Sequence, residues 1–427
     1  MEASMKRLVV AVLALMIARS SIRAQIQEGS PRWLEDFEKR FPPIKKNAAA
    51  EDVERLSLAL GLDPWPSDSG AEHPTQEDQE AYRQAGAGGW LDEQVKASDD
   101  SIAAPPAKLK EFLEKRRSVL QRVVGLLEKE IPEWGFDLHE SPKERRDLIL
   151  AINLGRILLS AALVEEQLGH HAGAGELLDA SWSLYRSMSS APDLMPQLIA
   201  TAIGSRQAGV LRKMTEPGFE WANRLAGDSP LARVIEAFRV DPLIAYVRMG
   251  RSPGQDSFSD PYQRAWNAFA DRVAELSSCE LPKRSYEEIW QSVEVRSANS
   301  EQAEQLRIVK EIALPNLMNA LHRAARLAVD LELTAKILEL RQEKAALRRG
   351  CWPEKFFDVG SRVCPGASYE YQPRATSMSI RFKGSIAEPA APALVLPLSF
   401  EARAPRPTPT STPARAPRAA SSRAPRS

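Results

Sequence analysis

Residues 316–349 read NLMNALHRAARLAVDLELTAKILELRQEKAALRR. Leu317, Leu321, Ala324, Ala328, Leu331, Ala335 and Leu338 recur at alternating steps of four and three. That is a heptad seam, so one face of a long helix is committed to packing against other helices. At ~1.5 Å per residue the rod would run roughly 50 Å. The rest of the chain is expected to lie against it.

Composition bounds what such a protein can be. The chain has 427 residues, 43% hydrophobic and 27% charged, close to a globular average. Lys+Arg and Asp+Glu are equal at 57 each, but the balance is uneven. Beyond residue 402 there are six arginines and no acid, so the body is net acidic. A body of that sign carries no signature for specific nucleic-acid binding, whereas the basic tail could meet an anionic surface.

The N-terminus reads as an export signal. Lys6 and Arg7 precede a short apolar run, residues 8–18, and Ala24 offers a small residue for cleavage. The run is too short for an ordinary membrane span, which takes about 20 residues. A periplasmic or secreted location is expected, with an uncleaved N-terminal anchor as the alternative. Export permits disulfides. Cys351 and Cys364 fall in one non-helical stretch, CWPEKFFDVGSRVC, and are expected to pair, leaving Cys279 over.

Five segments follow from punctuation and periodicity: a signal peptide (1–24), loosely packed N-terminal helices and a linker (25–107), a helical body (108–349), a disulfide-clipped hairpin (350–383) and a disordered Pro/Ala/Arg-rich tail (384–427). In the body, a capping box at Ser141 and Glu144 opens a helix whose apolar middle, 148–164, carries Asn153 and Arg156. Those polar residues predict a helix buried among others, not a membrane span. Gly169 closes that helix, and a His170–Gly173 turn then leads into residues 174–189, giving an αα-hairpin. A single helix is predicted over 108–130, with a gap in its apolar stripe at Arg116 and Arg117. Two β-like runs, 369–372 and 378–383, predict a small hairpin.

The fold class expected is therefore all-α: an irregular array of antiparallel helical hairpins, tetratricopeptide-like in part, closed by a small C-terminal β-hairpin. No nucleotide-binding, zincin or serine-hydrolase motif occurs, and no cofactor is implied. Glu166, His170 and His171 are candidates for a metal site, because four residues separate Glu166 from His170. The Glu-x-x-His spacing of dinuclear carboxylate sites is missing: Leu168 and Gly169 stand three residues after Glu165 and Glu166. Stacked hairpins without a catalytic motif point to a scaffold that binds a protein partner in the cell envelope. The rival is a glycan-directed envelope hydrolase with paired carboxylates in a helical cleft.

Residues 324–384, with RRGCWPEKFF, SRVCPGASYEYQ and MSIRFKG after the long helix, resemble the C-terminal part of a group of uncharacterised exported bacterial helical proteins. There a G-x-[YW]-P segment and a small β element follow a helical body. The layout is also similar to the end of type II secretion pseudopilins, without their N-terminal processing site. The resemblance implies an exported, helical protein and brings no activity.

Overall fold

The computed structural model describes residues 41–63, 73–136, 147–218, 220–248, 259–293, 314–347, 351–374, 376–386 and 394–402, together with Lys39, Arg307, Lys310 and Glu311. The expected signal peptide, the Ser141 capping box and most of the tail lie outside them. In chain order the helices are α1 (Ala48–Leu58), α2 (Gln76–Ala85), α3 (Ala87–Lys96), α4 (Ala107–Lys115), α5 (Arg117–Lys129), α6 (Asp147–Gln167), α7 (His171–Ser189) and α8 (Leu194–Leu211). Then come α9 (Glu220–Ala226), α10 (Pro230–Arg248), α11 (Ser259–Ala274), α12 (Tyr286–Gln291) and α13 (Leu314–Ala346). The sheet consists of β1 (Tyr369–Pro373), β2 (Met378–Phe382) and β3 (Ser399–Ala402). The protein is thus mostly helical with a small C-terminal β element.

The heptad seam does form one unbroken rod, α13, and every seam residue from Leu317 to Leu338 is buried. Burial goes further than the seam. Along its length α13 enters all three apolar cores. Leu317, Leu321 and Ala324 join the core of α10 to α12. Leu327, Leu331, Ala335 and Leu338 join the main core of α1 to α9. Val329, Leu333, Ile337 and Leu340 close the third core, under the sheet. A helix packed on several sides must also bury polar side chains, and Arg326, Asp330, Glu332, Thr334 and Lys336 are all buried.

Each of those groups is satisfied, as burial requires. Arg212, at the end of α8, donates to Thr334 Oγ1 at 2.9 Å and to Asp330 O at 3.0 Å. Arg326 and Arg212 both reach the Asp330 carboxylate, at 3.3 Å each. Arg341 closes the C-terminal end of α8 by donating to the carbonyls of Leu211, Arg212 and Met214 at 2.6–3.1 Å. A cation over the last carbonyls of a helix complements its dipole. Burial pushes the Arg341 guanidinium down to about 10.

Several expectations change. The helix expected over 108–130 is two, broken at Arg116, whose guanidinium reaches out of line to pair with Asp78. The N-terminal helices are not loosely packed: Val53, Leu56, Leu60, Trp90, Leu91 and Val95 belong to the main core. The expected linker is tied down too, because Lys213 Nζ donates to Asp99 O and Ser101 O at 2.7 and 3.0 Å. Leu148–Gln167 is apolar and long enough to cross a membrane, yet 67% of its most apolar window is buried inside the fold.

The C-terminal end departs most. The expected hairpin, β1 with β2, gains a third antiparallel strand from within the expected tail. β3 places Phe400 and Ala402 in the third core, and Glu401 N donates to Ser98 O at 2.8 Å. The disulfide joins Cys279 to Cys364, not Cys351 to Cys364. Cys279 sits in the turn after α11 and is buried against α13 with Cys364, whereas Cys351 is exposed. The bond staples the clip, residues 351–368, to the helical body.

Candidate binding surface

The corner between α6 and α7 holds the residues first suspected of binding metal. Gly169, at φ +80°, turns the chain so that α7 begins at His171. The ligands do not converge on one point; they sort into two separate pairs. His170 Nδ1 lies 2.7 Å from Glu165 Oε2, and His171 Nδ1 lies 2.9 Å from Glu166 Oε2. Glu166 is buried, and its other oxygen accepts from Thr215 N at 2.7 Å. The hydrogen bond to Glu166, then its charge, raise the His171 pKa. Among the described residues no group of three or more His, Cys, Asp or Glu side chains is arranged to hold a metal. The corner therefore reads as a fastening between α6, α7 and the end of α8.

The deeply placed carboxylates are likewise taken up by protein donors. Asp92 binds Arg206 twice, at 2.8 and 3.1 Å. Asp228 accepts from Tyr185 and Arg233. Glu332 accepts from Ser361 Oγ at 2.6 Å, Arg362 N at 2.5 Å and Tyr369 Oη at 2.9 Å. Burial first, then the Glu332 charge, push the Tyr369 phenol far above its ordinary range. Each of these acids is taken up by a cation or by several donors.

The clip presents a different chemistry. It runs back along α13, from Trp352 beside Lys344 to Ser361 beside Glu332. Phe356 packs inward against Tyr371, while Phe357, the next residue, is 89% exposed. Val359 is also outward, at 37%. The chain bends at Phe357, so the two adjacent rings part, Phe356 inward and Phe357 outward.

The backbone beneath Phe357 is fixed. Lys336, itself 2% exposed, donates to Asp358 O at 2.6 Å and to Asp358 Oδ2 at 2.8 Å. Tyr369 N donates to Val359 O at 2.7 Å, extending the β1 edge by one bridge, Gly360 to Ser368. Tyr371 Oη donates to Pro353 O at 2.8 Å. With the disulfide at Cys364, these contacts hold an aromatic ring in water on a rigid base. Sequence reasoning marked this stretch as a clip but missed Phe357, since FF alone does not say which ring faces in.

Comparison with family models, with characterised proteins and with solved structures finds no match in any of the three.

Proposed function

We propose that the protein is an exported, non-enzymatic scaffold that binds another protein through the clip, with Phe357 as the anchor. The observation that carries the reading is Phe357: a large apolar ring 89% exposed, followed by two residues whose backbone carbonyls, Asp358 O and Val359 O, are both hydrogen-bonded. Interface hot spots are typically aromatic residues that enter a pocket of the partner. A ring already held in place loses little conformational entropy on binding, which favours affinity. Around it stand Glu354, Lys355, Asp358 and Arg362, a mixture of signs that suits a protein surface better than an anionic bilayer.

The export signal read over residues 1–24 and the disulfide support a periplasmic or secreted setting. The α6–α7 hairpin, followed by α8, supports the reading as a tetratricopeptide-like stack over part of the chain. The test compares tagged full-length protein with Phe357→Ser and Leu168→Ser in pull-downs from envelope extract. Leu168 is 57% exposed and lies far along the chain from the clip. The partner should be lost with Phe357→Ser, by about 30-fold in affinity for a ~2 kcal/mol hot spot, and kept with Leu168→Ser. Equal recovery with both variants would overturn the reading.

A further inference from the structure

The N-terminal half of α13 carries a polar face opposite its contacts with the second core. Leu317, Leu321, Ala324 and Ala325 meet that core. Asn319, His322, Arg323 and Arg326 are spaced by three, four and seven residues from the first, which gathers them on the other side of the helix. Asn319, His322 and Arg323 are half-buried, and Arg326 is buried.

The four bring donors and no carboxylate. Arg326 is engaged: its Nε lies 3.3 Å from Asp330 Oδ2, and it also reaches the Leu396 carbonyl. Among the described residues the other three have no hydrogen-bonded or ion-paired partner. His322 Nε2 and Arg323 Nε are closed off from water without one. Burial lowers the pKa of both side chains, and no charged group acts on either. By contrast Arg206, Arg212, Arg233 and Arg326 each have a carboxylate. Folded proteins seldom leave shielded polar atoms unsatisfied, and a shielded charge without a counter-charge is costlier still.

We infer that this face of α13 binds a phosphate group through Asn319, His322 and Arg323, with Arg326 adding positive charge. A guanidinium offers a fork of donors that meets two oxygens at once. The amide of Asn319 and the imidazole of His322 add further donors, and the set suits the larger acceptor group of a phosphate better than a carboxylate. Partial exposure of all three side chains leaves the face open to a solute. The chain at Leu396, which meets Arg326, bounds it at the far end. Phe357 has no part in this site, so neither reading depends on the other.

Equilibrium dialysis of the full chain against radiolabelled inorganic phosphate tests the site, with methyl phosphate and acetate as competitors. Native protein should retain phosphate. Arg323→Gln and His322→Gln should each weaken binding ~10-fold or more, the loss expected for a charge-assisted hydrogen bond. Arg362→Gln, at a side chain 64% exposed, should bind as native protein does. Competition by methyl phosphate would extend the site to phosphomonoesters; its failure would restrict the site to the free ion, and both sustain the inference. Thermal melting gives a second readout. Arg323→Gln removes an unpaired, shielded charge, so without phosphate it should melt higher than native protein, whereas an arginine with a merely structural role would make the variant melt lower. Phosphate should then raise the melting temperature of native protein and leave that of Arg323→Gln unchanged. No retention by native protein, equal retention by Arg323→Gln, or competition by acetate as strong as by methyl phosphate overturns the inference.

Discussion

Lys336 and Asp358 form the joint between the buried rod and the exposed clip. The ammonium of Lys336, on α13, lies 2.8 Å from Asp358 Oδ2 and 2.6 Å from Asp358 O. Asp358 is the residue after Phe357. Burying an ammonium group is costly unless acceptors such as these surround it. The Lys336 hydrogen bond, ahead of any other influence, lowers the Asp358 carboxyl below the usual range. The long helix thus fixes where the exposed ring points.

Lys336→Met keeps most of the apolar stem and removes the charge. It should cost ~1.5–3 kcal/mol, the usual worth of hydrogen bonds to a charged group. Chemical denaturation measures that. Hydrogen exchange should show faster opening of residues 356–359, with the amides of α13 unchanged.

Asp330 sits between two buried guanidiniums, Arg212 and Arg326. Asp330→Asn leaves both without their counter-charge and should destabilise the protein by ~3–5 kcal/mol. Urea unfolding of the variant checks it. A loss under 1 kcal/mol would mean that the carbonyls of Asp330, Leu396 and Pro397, which these arginines also reach, suffice alone.

Cys279 and Cys364 are 85 residues apart in sequence, so their bond closes a long loop. The loop-entropy account gives about 4.5 kcal/mol for that length. Cys364→Ser should lower stability toward that figure, while Cys351→Ser should leave it within ~0.5 kcal/mol. Non-reduced peptide mapping should return the 279–364 pair, and Cys351 should alkylate without reductant.

His171 makes stability depend on pH. Its pKa in the folded protein is raised by Glu166 above the ordinary ~6.5. A group raised on folding binds its proton more tightly in the native state. Its contribution is therefore complete below about pH 6.5 and is lost as pH rises through the raised value. The difference in melting temperature between native protein and His171→Phe should be greatest at acid pH and shrink on the alkaline side. A difference that grows with pH would reverse the sign.

The rod was legible because leucine and alanine at heptad steps leave little choice of structure. Its other sides were not. Arg326, Asp330, Glu332 and Lys336 are charged, and charge in a sequence normally marks a solvated face. Here their partners come from remote segments: Arg212, Ser361, Asp358 and the Leu396 carbonyl. The cysteine pairing failed for a similar reason. Nearness in sequence favoured Cys351, but the turn after α11 packs on α13 and brings Cys279 to Cys364. β3 was hidden by its length of four residues and by the proline-rich chain around it. A turn was expected at the corner of His170 and His171, but α7 already begins at His171, and only side-chain geometry shows that each histidine takes its own carboxylate.

The most direct test of the clip as a binding anchor is site-specific photo-crosslinking in living cells. A photoreactive phenylalanine at position 357 is compared with one at position 168, which is also exposed. The account predicts a discrete protein adduct at 357 that is absent at 168. No adduct at 357, or the same adducts at both positions, would contradict it.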